Sequence, residues 1–455
     1  MDMTSEAAAG AGTLGPLGVL AGSGPLPLEI AGTAAASGRP VHIVGIEGFA
    51  SPAIADYPHQ WVNLGQVGGM LRGFRQAGCA EIVIAGGIRR PNLWKLKLDF
   101  GILRCLGTVL QLTRGGDDSV LRRVVRFFEL QGFNVRGAHE IARHLLAPAG
   151  VLGRVQPGAP HEAAMARGTA LIRALGAFDV GQAALASADR IIAVEGVGGT
   201  DAMIDDAARL LEQCATETTR GGVLVKLPKP GQEMRVDLPV IGPHTIDGLV
   251  RAGLAGVAVR AGQSLILERQ ETVRRADAAG VFITGIDGHD PPAPHQAERA
   301  RYIDVHGAPL AVLGRRAPTP GERRDVAIGR ALMRALAPYE GGQAAVIADQ
   351  HVRGIDGALP LAAILSAAAA GNDWGRRLFR KRIGVLVVRR PELILATEPP
   401  AADEDAEPVN FAWIAQAGLA GIACVEGSIP ADLLPAAAHE ANEMGLFLMA
   451  LETQA

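Results

Sequence analysis

Leu17-Gly-Val-Leu-Ala-Gly-Ser-Gly-Pro-Leu-Pro27 decides the fold class. An apolar run, Leu17 to Ala21, ends in Gly22-Ser-Gly24 and opens onto a helix-length stretch. That order reads as strand, turn, helix. Val41 to Ile46 and Glu81 to Ala85 repeat the strand signal, and Phe133 to Gly137 gives a weaker one. Strands separated by helix-length stretches predict parallel βαβ units. Residues 14–150 therefore read as a small parallel-sheet, Rossmann-like domain. Ala147-Pro-Ala-Gly150 opens a polar stretch through Gly158-Ala-Pro160, which reads as a linker.

A second α/β segment covers residues 161–287. It has a helix from Ala163 to Leu175 and strands at Arg190 to Val194, Gly222 to Leu227, Gly256 to Val259 and Val281 to Thr284. Gly288-His-Asp-Pro-Pro-Ala-Pro294 then breaks the pattern, and residues 288–324 read as a further linker. The remaining 325–455 repeat the second segment. Ala170-Leu-Ile-Arg-Ala-Leu175 matches Ala331-Leu-Met-Arg-Ala-Leu336, and Gly181-Gln-Ala183 matches Gly342-Gln-Ala344, both at an offset of 161. Gly222-Val-Leu-Val225 matches Gly384-Val-Leu-Val387, and Ala252-Gly-Leu-Ala-Gly256 matches Ala417-Gly-Leu-Ala-Gly421. Four matches in one order read as a tandem duplication. The second copy keeps strands and glycines but lacks the Thr200-Asp201 pair, Lys226 and the Arg235-Val-Asp237 run. It reads as a degenerate copy that has lost its chemistry.

The 455 residues carry 44 Lys+Arg against 47 Asp+Glu, so a broadly basic nucleic-acid binder is excluded. Apolar residues at 48% give a real core, and aromatics at 4% make base stacking an unsuitable main task. Cys79, Cys105, Cys214 and Cys424 are widely spaced, which disfavours a disulfide scaffold or a zinc ribbon and fits a reducing compartment. Met1 to Gly12 lacks the basic start of a signal peptide, and no apolar run reaches membrane-spanning length. A soluble, cytoplasmic protein is expected.

Several short motifs could carry chemistry. Gly22-Ser23-Gly24 suits a phosphate cradle or a plain tight turn. Gly86-Gly87-Ile-Arg89 follows a strand, and its arginine fork suits phosphate oxygens or solvent. Asp117 and Asp118 follow a glycine pair and suit a metal, sugar hydroxyls or a helix N-cap. His139 and His144 are five apart, which is wrong for two ligands on one helix face, although His139 and Glu140 follow a strand and could touch a ligand. Asp179, Gln182, Glu195, Thr200, Asp201, Lys226, Lys229, Arg235 and Asp237 crowd predicted strand ends in the second segment. Such a group can hold Mg²⁺ and phosphate oxygens together. Trp94 to Leu112 mixes apolar and basic residues, as an acyl-chain trough or an ordinary core helix does.

Taken together the motifs resemble the magnesium-dependent UDP-2,3-diacylglucosamine pyrophosphatases of alphaproteobacteria, a lipid A pathway family. The resemblance rests on Ala21 to Pro27, Ala85 to Pro91, Gly115 to Asp118, Gly137 to Glu140, Asp179 to Ala183, Glu195 to Met203, Leu224 to Gln232 and Arg235 to Pro239, in family order. It implies a two-domain core, with the active site between a Rossmann-like domain and a mixed α/β catalytic domain. It also implies attack of water on the α-phosphorus of UDP-2,3-diacylglucosamine, giving UMP and 2,3-diacylglucosamine 1-phosphate (lipid X). Asp237 matches the family's essential aspartate, as Mg²⁺ ligand or water-positioning group. Asp201 would be a second metal ligand, with Lys226 a nearby phosphate contact. Gly22, Ser23, Gly24, Gly86, Gly87 and Arg89 would face the ligand, with Asp117, Asp118, His139, Glu140, Asp179, Gln182 and Thr200 as further contacts. The substrate's acyl chains imply peripheral contact with the inner membrane. The family pattern ends near Asp287, and the extra copy would make the chain a pseudo-dimer in itself or part of a homodimer, or would be an added regulatory or stability module. Two competing readings remain at this point: a non-catalytic UDP-lipid-binding or scaffold protein, and a sugar-nucleotide transferase.

Overall fold

The structure, a computed structural model, describes residues 15–88, 117–196, 198–213, 221–229, 232–288, 310–339, 342–356, 361, 364–365, 382–390, 410–426 and 429–451. They form two compact units. The first comprises residues up to Ala147 together with Gln232–Gly242 and Gly262–Arg269; the second comprises Pro148–Gly231, Pro243–Ala261 and the chain from Gln270 onward.

The first unit is built on β1 (Leu17–Ala21), α1 (Leu26–Ala36), β2 (Val41–Ile46), β3 (His59–Val62), α2 (Val67–Gln76), β4 (Glu81–Ala85), α3 (Asp117–Leu130), β5 (Asn134–Arg136) and the short α4 (Ala138–Ile141). The strands form one parallel sheet in the order β3-β2-β1-β4-β5. Alternate strand residues point to opposite faces. Leu17, Val19, Ile43 and Val83 enter one core with Ile30 and Ala34 of α1, whereas Leu20, Val44 and Ile82 enter the other with Phe74 of α2 and Phe128 of α3. Helices cover both faces, so this is a doubly wound sheet, the expected Rossmann-like class. Strand order reverses between β1 and β4, which places a topological switch point there.

The second unit begins with β6 (Gly150–Leu152), inside the stretch that sequence reads as linker. It pairs antiparallel with β13, Phe282–Ile286. Three residues, one of them Gly150 at φ +85°, are too few to show strand periodicity. Next come α5 (Ala159–Leu175), β7 (Ala183–Ala186), β8 (Ile191–Val194), α6 (Gly199–Gln213) and β9 (Val223–Lys226). The helix α5 starts four residues before its expected start, after Gly158 and with Pro160 in its first turn. The chain then enters the first unit, where β10 (Val240–Ile241) pairs parallel with β12 (Leu265–Ile266). Between these two strands it supplies α7 (Pro243–Arg251) and β11 (Gly256–Arg260), and after them α8 (Arg269–Ala279) and β13. The resulting sheet has the order β6-β13-β11-β9-β7-β8, parallel in its centre and antiparallel at both edges.

A second six-stranded sheet follows: β14 (Leu310–Val312), α9 (Pro320–Leu336), β15 (Ala344–Ala348), β16 (His351–Ile355), β17 (Val385–Val388), α10 (Phe411–Gln416), β18 (Gly421–Cys424), α11 (Leu434–Glu443) and β19 (Phe447–Leu451). Residues 310–312 and 320–324, expected inside a linker, are thus β14 and the first turn of α9. Thr319 caps that helix, accepting a hydrogen bond from Glu322 N. The order β14-β19-β18-β17-β15-β16 repeats the first sheet strand for strand, with the same sense at every pairing.

Candidate functional site

In the first unit the two glycine motifs meet at the switch point. Gly22 N donates to Ala85 O (2.8 Å), Ser23 N to Gly87 O (2.8 Å) and Gly87 N to Ser23 O (3.0 Å). The Ser23 hydroxyl adds a bond to Gly87 O at 2.9 Å. Gly22 and Gly86 leave no room for side chains of their own in this seam. A Cβ on Gly22 would lie 2.7 Å from Gly87 O, and one on Gly86 (φ +89°) would lie 2.5 Å from Ser23 O. The seam sits at the carboxyl ends of β1 and β4, followed by the N-terminus of α1, where doubly wound sheets take their ligands. Gly24 (φ +91°) has open space around its Cα.

The structure gives Glu140 a structural task. Its carboxylate accepts from Gly137 N (2.7 Å) and pairs with Arg136 (2.7 Å), which also pairs with Glu81 (2.7 Å). Burial would raise the Glu140 and Glu81 carboxyls, but these hydrogen bonds and the arginine charges hold both below the usual range. Burial holds the His139 imidazole below its usual pKa, and its Nδ1 is buried with no hydrogen-bond partner.

Asp237 departs from the sequence expectation. It was placed with the strand-end residues of the second segment, yet residues 232–242 are built into the first unit. The cause is apolar alternation: Val236 packs in the core with Phe74, and Leu238 packs in the core with Ile30, on the opposite sheet face. Asp237 lies where the chain crosses between them. Its Oδ2 accepts from Gln232 Nε2 at 2.5 Å, and Gln232 is buried. Asp237 N and Val236 N donate to Glu233 O, closing a turn. Arg235 clamps that turn through Glu233 (2.8 Å) and Glu129 (2.6 Å). The Arg235 hydrogen bonds hold the Glu233 carboxyl below its usual pKa. Sequence reasoning passed over Gln232 as a site residue, because a spacing of five in a Pro/Gly loop carries no periodic signal.

Asp179, Gln182, Glu195, Thr200, Asp201, Lys226 and Lys229 belong to the second unit. Ala183 is paired with Lys226 across β7 and β9, and Glu195 N donates to Ala183 O. Residues opposite each other share a sheet face. Lys226, Ala183 and Glu195 therefore form a row, with a small residue between the amine and the carboxylate. Glu195 is buried and accepts from Gln182 N (2.7 Å) and Thr200 Oγ1 (2.7 Å). The Thr200 bond ties the start of α6 to the end of β8. Lys226 is buried, and Lys229 reaches Asp179 at 3.4 Å, where Asp179 adopts φ +57°. Asp201 is exposed in the first turn of α6, a position the helix dipole favours for any carboxylate. Arg89 and the Trp94 to Leu112 trough lie outside the described residues. Asp117 and Asp118 open α3, and their side chains lie outside the description.

Among the described residues no three His, Cys, Asp or Glu side chains gather around one point as a metal site. No helix among them is long and apolar enough to cross a membrane.

Comparison with known proteins finds two family domains in the first part of the chain. A family model described as the LpxI N-terminal domain matches residues 16–145, and one described as the LpxI C-terminal domain matches residues 148–284. The UDP-2,3-diacylglucosamine pyrophosphatase LpxI of Caulobacter vibrioides is 39% identical over 277 residues, covering 61% of this chain and 99% of that protein.

Proposed function

The chain belongs to the LpxI family, and we propose that it hydrolyses UDP-2,3-diacylglucosamine at the α-phosphorus. A water oxygen forms the new bond to that phosphorus, and the bond to the bridging oxygen breaks. The bridging oxygen leaves with the β-phosphate as 2,3-diacylglucosamine 1-phosphate, and UMP carries the new oxygen. The water's protons pass to solvent and to the phosphate products.

The observation that carries this reading is the placement of Asp237. It is a carboxylate fixed by Gln232, in a turn clamped by Arg235, on the unit that also carries the glycine seam. The α1 N-terminus beside that seam suits the phosphates of a nucleotide. On the second unit Lys226 supplies a cation for phosphate oxygens, and Thr200 is held by the hydrogen bond it donates to Glu195. Asp237 also suits Mg²⁺, which takes one or two carboxylates and completes its shell with phosphate oxygens and water. Such an ion would neutralise charge on the transferring phosphoryl group. The acyl chains of the substrate would bring the protein to the inner membrane surface as a peripheral visitor.

The test is UMP release from UDP-2,3-diacylglucosamine in Mg²⁺ or EDTA, for the wild type and Asp237→Ala. Loss of about 10³-fold or more in kcat for the variant, and abolition by EDTA, is expected. Release that survives Asp237→Ala would move the chemistry elsewhere. Transfer of UMP to an acceptor in place of free UMP would make the protein a transferase.

A further inference from the structure

The two six-stranded sheets of the second unit share more than strand order. Glu195 N donates to Ala183 O at 2.9 Å, and Asp356 N donates to Ala344 O at 2.9 Å. Leu227 N donates to Gln182 O at 2.8 Å, and Arg389 N donates to Gln343 O at 2.8 Å. Arg154 N bonds Asp277 Oδ1 at 2.7 Å, and Arg315 N bonds Asn442 Oδ1 at 2.7 Å. A Cβ on Gly256 would lie 2.4 Å from the Phe282 ring, and one on Gly421 would lie 2.3 Å from the Phe447 ring. Each pair is separated by 161 to 165 residues. The shared sheet pairing accounts for the backbone bonds, but it does not place the same side-chain-to-backbone bond and the same glycine under a phenylalanine ring at matched positions, whereas descent from one domain does.

The copies also pack on each other through the same element. Leu171, Ile172 and Leu175 of α5 share one buried apolar cluster with Leu332, Met333 and Leu336 of α9, and the two helices are in contact. These six residues are equivalent in pairs at an offset of 161. Contact between the same surface of two copies is the isologous geometry of a two-fold dimer. Here both copies lie on one chain.

We propose that residues 310–451 are a built-in pseudosubunit. They derive from duplication of the domain at 150–286 and are seated on the α5 face that a second copy would otherwise occupy. The covered face leaves the full-length protein a one-site monomer. The C-terminal copy acts as the folding partner of the catalytic copy, not as a second catalyst. Its own edge supports this: Val388 stands at the position of Lys226 and Leu361 at that of Thr200.

The test uses the full-length chain. Light scattering after size-exclusion chromatography should give the monomer mass of 47.2 kDa at all concentrations. Hydrogen exchange should show the amides of Leu171–Leu175 as protected as those of β9. Ile328 of α9 is buried in the shared cluster, and the equivalent residue on α5 is Arg167. Ile328→Arg should therefore open the contact, speed exchange in α5 by about tenfold or more and produce self-association, with first-unit amides unchanged. If that variant fails to fold, Leu332→Ala should give the same α5 acceleration in a folded chain. A wild-type dimer, or α5 exchange that neither variant changes, would overturn the proposal.

Discussion

The two six-stranded sheets of the second unit, the first and second copies of the proposed duplication, differ most at one edge. In the first copy β9 ends in buried Lys226, paired with Ala183; in the second, β17 ends in buried Val388, paired with Ala344. In the first, Glu195 accepts from Gln182 N and Thr200; in the second, the shorter Asp356 accepts from Ala344 N, and Leu361 replaces the threonine. In the first, apolar Leu227 follows β9. In the second, Arg389 follows β17 and donates to the Met333 carbonyl in the last turn of α9 and to the Gly342 carbonyl just before β15. The backbone is the same in both, so the fold does not require the cation or the hydroxyl. A buried amine costs free energy unless something compensates it. Valine at the matched position is what the proposed phosphate contact at Lys226 predicts for a sheet that lacks that contact.

Installing the second copy's residue in the first sharpens the contrast most. Lys226→Val should leave thermal stability within about 1 kcal/mol, because the same pairing holds valine at Val388. Turnover of UDP-2,3-diacylglucosamine should fall by about 10²–10³-fold, the range for removing one charge-stabilising donor. Steady-state kinetics beside a melting curve separate the two effects. Full activity in the variant would reduce Lys226 to a buried accident and break the comparison.

Packing should instead behave alike in both copies. Gly168 of α5 and Gly329 of α9 let each helix lie against its own sheet. A Cβ would come within 2.7 Å of Val225 in the first copy and 2.4 Å of Val387 in the second. Alanine gains about 1 kcal/mol in helix propensity. Valine is stiff, however, and overpacking costs about 1–3 kcal/mol. Gly168→Ala and Gly329→Ala should each lower stability by about 1–2 kcal/mol in denaturant titration, Gly329→Ala the more. A gain in either would show that the helices have room to shift.

Much of this was legible in the chain. Leu17–Ala21, Val41–Ile46 and Glu81–Ala85 were read to the residue, because buried apolar runs bounded by Gly or Pro have sharp ends. The matched stretches stood out because glycines under aromatic rings and valines cannot drift. The edge strand His59–Val62 was not, since three of its four side chains keep some solvent exposure and carry no apolar pattern. Strands of two residues, such as β10 and β12, exist only by tertiary pairing. Each glycine motif stood out alone, but their seam joins residues 64 apart, and local pattern does not show that. Asp237 was singled out by its motif, but its packing partners were not legible. Contiguity in sequence suggested the second segment, while Met234, Val236 and Leu238 insert into the cores of the first.

The smallest expected effect concerns pH and separates the two units. In the first unit, arginines and N–H groups hold Glu81, Glu140 and Glu233 below their ordinary range. A depressed carboxylate stabilises the fold above its unfolded pKa, and that stability is lost as pH falls through the folded pKa. In the C-terminal copy burial pushes Asp325 and Asp356 up to about 6. For them the sign reverses. The folded state holds their protons more tightly than the unfolded chain, so stability falls as pH rises from about 4 to about 6 and is level above. Asp356→Asn keeps an acceptor for Ala344 N, 2.6 Å away, and removes the charge. A shift of about two pKa units is worth at most about 3 kcal/mol. With bonded N–H groups and partial solvent contact, about 1 kcal/mol of added stability is expected at pH 7 and none at pH 4. Hydrogen exchange at both pH values reads each unit separately. From pH 4 to 7, first-unit opening should become harder and C-terminal opening easier. In Asp356→Asn the C-terminal change should shrink, and an unchanged pH response would show that Asp356 stays ionised in the fold.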